Sequence, residues 1–194
     1  MIPPAEEPES STQEKVPADQ EIKLQKLIQA LSRAKLLKED RIPAEIFPEV
    51  YLGSYGAAHN KALLKQIGIT HVLCVASSIK AAFPELLTYK SVEVLDNPEA
   101  DLAVHFAACF AFINEAIEGG GKVLIHCFAG KSRSATVLLA WIMKHKLMPL
   151  DEAIAHVKGL RSVVSPNAGF MKQLRQFEAV ELVDSGVATL SNSA

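Results

Sequence analysis

The stretch that most constrains this chain spans residues 122–145. Val123, Leu124 and Ile125 are continuously apolar, as expected of a strand buried on both faces. They lead into His126-Cys127-Phe128-Ala129-Gly130-Lys131-Ser132-Arg133-Ser134, a run of small and polar residues. Over residues 133–145 the side chains are then apolar nearly all round (Val137, Leu138, Leu139, Trp141, Ile142), which marks a buried central helix. A buried strand, a tight polar loop and a buried helix in direct succession require a layered α/β domain. Such folds place ligands at strand carboxyl ends and helix N-termini.

The flanking sequence fits that architecture. Residues 47–53, 70–75 and 89–95 read as strands, and residues 57–66 as a helix ended by Gly68. Leu102, Phe106, Phe110, Ile113 and Ile117 mark a long helix closed by Gly119, Gly120 and Gly121. Two more helices are expected over 150–158 and 167–183. Strands alternating with helices predict a central, mostly parallel sheet flanked by helices.

The compact domain is expected over residues 46–183. Ahead of it, residues 1–20 carry Pro3, Pro4, Pro8 and Pro17 with a strong acidic excess and few large apolar side chains, and they read as a disordered tail. Residues 21–45 read as an extra basic amphipathic helix and its linker. Leu24, Leu27, Ile28, Leu31 and Ala34 make an apolar stripe, and residues 22–38 hold five basic side chains and no acid. That stripe suits either packing on the domain or a calmodulin-type partner whose groove accepts a basic helix. Residues 184–194 are small and polar and read as a flexible tail.

Charge and length exclude several classes. Twenty Lys and Arg against 22 Asp and Glu leave no basic field for nucleic acid. The longest uncharged stretches, 66–79 and 102–114, fall short of the roughly 18 apolar residues that cross a bilayer. Three cysteines make no disulfide framework, and the N-terminal residues do not read as a secretory signal. A cytoplasmic or nuclear setting is the expectation.

The chemistry lies in the loop after the central strand. Phe128, Ala129, Gly130, Lys131 and Ser132 can turn successive backbone N–H groups inward as an anion nest, with Gly130 permitting the bend. The following helix adds its positive dipole end, and the Arg133 fork can bind two oxygens of a phosphate monoester. The same surroundings favour a thiolate at Cys127, a nucleophile facing the bound phosphorus. Gly130-Lys131-Ser132 also ends like a nucleotide-binding loop, but that pattern needs a glycine where the chain has Ile125. Cys74 and Cys109 lie on apolar elements and read as core thiols. The histidines show no ligand spacing, so neither metal nor cofactor is expected.

His126 to Thr136, HCFAGKSRSAT, resembles the cysteine-based protein phosphatase signature HCxxGxxR followed by Ser or Thr. Its ending is similar to dual-specificity phosphatases, in particular the small plant-type members. Val50-Tyr51-Leu52-Gly53-Ser54, Gly68-Ile69-Thr70-His71-Val72-Leu73 and Ser165-Pro166-Asn167 resemble the same family in the same order, so the likeness covers residues 46–180. The resemblance implies hydrolysis of phosphotyrosine and phosphoserine or phosphothreonine through a phosphocysteine. It further implies a general acid on an upstream loop, for which Asp96 in Leu95-Asp96-Asn97-Pro98 is the candidate. Asp101, just ahead of an apolar run, reads better as a helix cap. Ser134 would steady the departing sulfur, and His126 would order the loop through backbone contacts rather than transfer protons.

The domain has no room for the extra loop that deepens the pocket of tyrosine-only relatives. The resemblance then implies a shallower pocket that admits phosphoserine and phosphothreonine as well as phosphotyrosine; a phosphoprotein is the expected substrate, and a mitogen-activated kinase enters as a common substrate of the family. An inositol-lipid phosphate is the alternative, although lipid-directed relatives often carry Lys where this chain has Phe128. A phospho-binding adaptor would require loss of Cys127, Arg133 or the acid, and all are present.

Overall fold

The computed structural model describes residues 18–184. Both the acidic tail, apart from its last three positions, and the small polar residues 185–194 lie outside them. Helix α1 (Ala18–Glu39) spans the boundary between two units, one ending at Ser32 and one starting at Arg33. In the first unit Leu24, Leu27, Ile28 and Leu31 are all more than half exposed, and Lys23 pairs with Asp19 one turn away at 3.2 Å.

The second unit is built on a five-stranded sheet. Strands β1 (Ala44–Phe47) and β2 (Val50–Gly53) form an antiparallel hairpin. The single strand expected over 47–53 is therefore divided, because Pro48 has no N–H for a ladder and takes the turn instead. Strands β3 (His71–Val75), β4 (Thr88–Val92) and β5 (Val123–His126) are parallel to β2, in the order β1-β2-β5-β3-β4. The central place of β5 matches its unbroken apolar run, and alternate side chains go to opposite cores. Val123 and Ile125 join the larger core with Leu52, Leu73, Leu138 and Phe170, whereas Leu124 packs with Tyr51, Leu64 and Val72.

Seven helices accompany the sheet among the described residues. The helix expected over 57–66 is two, α2 (Tyr55–Ala58) and α3 (Lys61–Ile67). The Ser54 side chain caps the first by accepting from Gly56 N–H, and Asn60 restarts the chain by capping the second at Leu63 N–H. A 3-10 turn at Ala103–His105 precedes α4 (Phe106–Glu118). Helix α5 (Arg133–Lys146) runs from the loop into the core and packs on α4, β5, α6 (Leu150–Leu160) and α7 (Ala168–Asp184). No helix among the described residues is long and apolar enough to cross a membrane.

The last turns of α1 press against the start of α2. A β-carbon on Gly56 would stand 2.0 Å from the Leu36 carbonyl oxygen and 2.5 Å from that of Asp40. Only a glycine allows that approach. The compact unit thus starts well ahead of Ile46, and the end of α1 sits beside the loop that follows β5.

Candidate active site

Cys127 leaves the end of β5 with its side chain only 1% exposed. Its sulfur is not surrounded by hydrocarbon alone. Gly130 N–H and the Ser134 hydroxyl each donate to Sγ at 3.2 Å. Cys74 and Ala76 complete the buried cluster around it. The Cys74 thiol is pushed up to about 12 by burial, then by its nearness to Cys127, and Cys109 to about 11 by burial. Both stay protonated, in keeping with core thiols.

The loop from Cys127 to Ser132 has all six of its carbonyls engaged. His126 Nδ1 donates to Cys127 O at 3.1 Å, and Tyr55 N–H to Phe128 O at 2.9 Å. Arg161 donates from Nη2 to Ala129 O at 3.0 Å and from Nε to Gly130 O at 3.1 Å. Ser165 N–H takes Lys131 O at 2.8 Å, and Thr136 takes Ser132 O through both its amide and its hydroxyl. The amides of Phe128, Ala129, Lys131 and Ser132 donate to no protein acceptor among the described residues. Tied carbonyls with free amides are what an anion-binding nest requires. Gly130 makes the bend at φ +64°, and a β-carbon there would stand 2.3 Å from Gly53 O.

The acidic loop meets the nest directly. Strand β4 ends at Val92 rather than near Leu95, so Asp96 stands on an irregular segment beyond the strand. Its Oδ1 accepts from the Ser132 hydroxyl at 2.7 Å and from Asn167 Nδ2 at 3.0 Å. Its Oδ2 lies 3.4 Å from Arg133 Nε without hydrogen-bond alignment, while Arg133 Nη1 donates to Val94 O at 3.2 Å. Asp101 accepts from Val104 N–H at 3.4 Å just ahead of the 3-10 turn, whose cap residue is Leu102 rather than Asp101. Lys131 is exposed at the rim. No group of three His, Cys, Asp or Glu side chains able to hold a metal ion occurs among the described residues.

Sequence reasoning grouped Cys127, Arg133, Ser134 and Asp96, and the fold brings all four together. It assigned Ser132 to the phosphate, yet that hydroxyl is committed to Asp96 and to Asn167 N–H, which leaves only the amide for a ligand. It missed Asn167, which caps α7 at Phe170 N–H while holding Asp96. The Ser165-Pro166-Asn167 stretch stood out in the sequence without a role. It also missed Arg161, for which no local pattern gives a signal.

Comparison with known proteins places these features in a family. The dual specificity phosphatase catalytic domain matches residues 50–180. The chain belongs to the dual-specificity phosphatase family. It is 45% identical over 155 residues to dual specificity protein phosphatase 1 of Arabidopsis thaliana, covering 80% of this chain and 78% of that one. It is 44% identical over 144 residues to dual specificity protein phosphatase 1B of the same plant, covering 74% and 86%. Among solved structures, the human tyrosine phosphatase-like serine/threonine/tyrosine-interacting protein superposes with a TM-score of 0.71 at 37% identity, covering 73% of this chain and 99% of the other. This chain is a dual-specificity protein phosphatase, and a phosphoprotein is its class of substrate.

His126 offers a pH test of the loop's foundation. It is fully buried, and burial pushes its pKa down to about 4 from the ordinary 6.5, so the neutral ring donates Nδ1–H to Cys127 O. The unfolded chain takes up that proton below pH 6.5 and the folded one does not, so stability falls as pH drops from 6.5 to about 4. Over that window the loss attributable to this ring is roughly 3 kcal/mol. Urea unfolding of wild type and His126→Asn across the window should show a steeper pH slope for wild type. Equal slopes would contradict the assignment.

Proposed function

We propose that catalysis runs through a phosphocysteine at Cys127, with the loop amides and Arg133 holding the phosphoryl oxygens. The Cys127 thiolate forms a bond to phosphorus as the ester P–O bond breaks, and Asp96 gives its proton to the leaving tyrosine, serine or threonine oxygen. Asp96, now a carboxylate, takes a proton from the water that attacks phosphorus. The S–P bond then breaks, with the Ser134 hydroxyl donating to the departing sulfur. Inorganic phosphate leaves and both groups return to their starting forms.

The observation that carries this reading is the meeting of three things at one point. A loop with every carbonyl tied, a sulfur already accepting two hydrogen bonds, and a carboxylate tethered through Ser132 and Asn167 are what a transferred phosphoryl group needs. Arg133 has two links to the acidic loop, which supports its acting as the hinge between phosphate binding and proton transfer.

Within the class of phosphoproteins, a mitogen-activated kinase is the proposed substrate type, and cytoplasm or nucleus the proposed setting. Helix residues 22–38, whose apolar stripe is exposed, are proposed as a calmodulin-type binding segment. A peptide of residues 20–41 should bind calmodulin with calcium and release it on chelation. Absence of calcium-dependent binding would remove that assignment.

Turnover of para-nitrophenyl phosphate and of phosphotyrosyl and phosphothreonyl peptides tests the chemistry. Wild type should be active on all three, and Cys127→Ser inactive while still retaining phosphopeptide. Asp96→Asn should lower kcat by about a hundredfold or more on the peptides, where the leaving oxygen needs a proton. Wild-type activity no higher than Cys127→Ser would instead support an adaptor that binds phosphate without cleaving it.

A further inference from the structure

The middle of the phosphate loop is held differently from its ends. Phe128 O and Lys131 O are fixed by main-chain amides, from Tyr55 and Ser165. Among the described residues, Ala129 O and Gly130 O have only the Arg161 side chain. These are also the peptides most able to turn over, because Gly130 lacks the β-carbon that would restrict rotation. A carbonyl turned inward would present a partial negative charge to a thiolate and a phosphoryl group alike.

Arg161 is in turn oriented from one side. Its Nη1 and Nη2 donate to the two carboxylate oxygens of Asp40 at 3.2 and 2.6 Å, and its side chain is 9% exposed. Asp40 follows the last residue of α1. Its own carbonyl accepts from the Ser54 hydroxyl at 2.9 Å, and its amide donates to Leu36 O at 3.0 Å. One planar fork therefore reaches two loop carbonyls and a carboxylate together, a geometry that lysine cannot reproduce.

We propose that Arg161, oriented by Asp40, is a positioning residue of the phosphate loop, holding the Ala129 and Gly130 carbonyls outward so that the loop's amides serve the transferred phosphoryl group. The inference rests on the phosphocysteine reading and adds to it a dependence on the end of α1. A carboxylate 121 positions ahead of Arg161 in the chain thus governs, through that side chain, a loop that it does not hydrogen-bond.

The test uses the full chain with Arg161→Met, Asp40→Asn and the double variant. It reads kcat and KM for para-nitrophenyl phosphate, the inhibition constant for vanadate, and the thermal midpoint. Arg161→Met should lower kcat and weaken vanadate inhibition by about tenfold or more, since a small displacement of positioned groups costs that much. Asp40→Asn should do the same to a smaller degree. The double variant should be no worse than Arg161→Met, because Asp40 acts through Arg161. Unchanged kcat and vanadate inhibition in both single variants would overturn the proposal, even with a lowered thermal midpoint, since the pair would then only brace the fold. If Arg161→Met fails to fold, Asp40→Asn decides alone, because it keeps the side-chain shape and the backbone carbonyl that Ser54 binds. A wild-type chain that neither turns over substrate nor binds vanadate would overturn the phosphocysteine reading, and this proposal with it.

Discussion

Six consecutive carbonyls, from Cys127 to Ser132, must all be satisfied on the outer side of a loop that is only a few residues long. A peptide group left free to rotate there would exchange a donor for an acceptor on the inner side of the loop, where the proposed mechanism binds negative charge. The fold answers with donors drawn from separate parts of the chain: His126 and Thr136 on the flanking strand and helix, Tyr55 from α2, Arg161 from the end of α6, and Ser165 before α7. Much of the architecture around β5 can be understood as the means of delivering those donors.

The same economy extends to Asp96, the proposed acid. Ser132 and Asn167 both reach Asp96 Oδ1, while Asn167 also caps α7 and donates its amide to Ser132. Arg133 adds a bond to Val94 O and an ion pair with Asp96. The acidic loop is consequently attached to the phosphate loop at its base and at its tip. In the proposed mechanism, proton transfer and phosphoryl binding would thus share one hydrogen-bonded frame.

What the sequence revealed and what it concealed divide along local and distant interactions. The run from Val123 to Trp141 declared a buried strand, a loop and a buried helix because its pattern is continuous and each neighbour reinforces the next. Cys127, Gly130 and Arg133 stood out for the same reason. Short-range chemistry explains the boundaries that shifted. Pro48 turned one expected strand into a hairpin, and Asn60 broke one expected helix into two. β4 stopped at Val92 because its partner strand β3 ends at Val75, directly opposite. Arg161 and Asp40 could not be read, since neither has a distinguishing neighbourhood and their pairing exists only once the sheet has assembled. Ser132 was read as a phosphate contact, and the commitment of its hydroxyl to Asp96 could not be read because that partner lies 36 positions away.

The most direct measurement is a crystal structure of the protein grown with tungstate. The account predicts the oxyanion within the curve of the loop, one face toward Cys127 Sγ and its oxygens receiving the amides of residues 128–132 together with the Arg133 guanidinium. Tungstate absent from that curve at saturating concentration, or a loop with the Ala129 or Gly130 carbonyl directed inward, would contradict it.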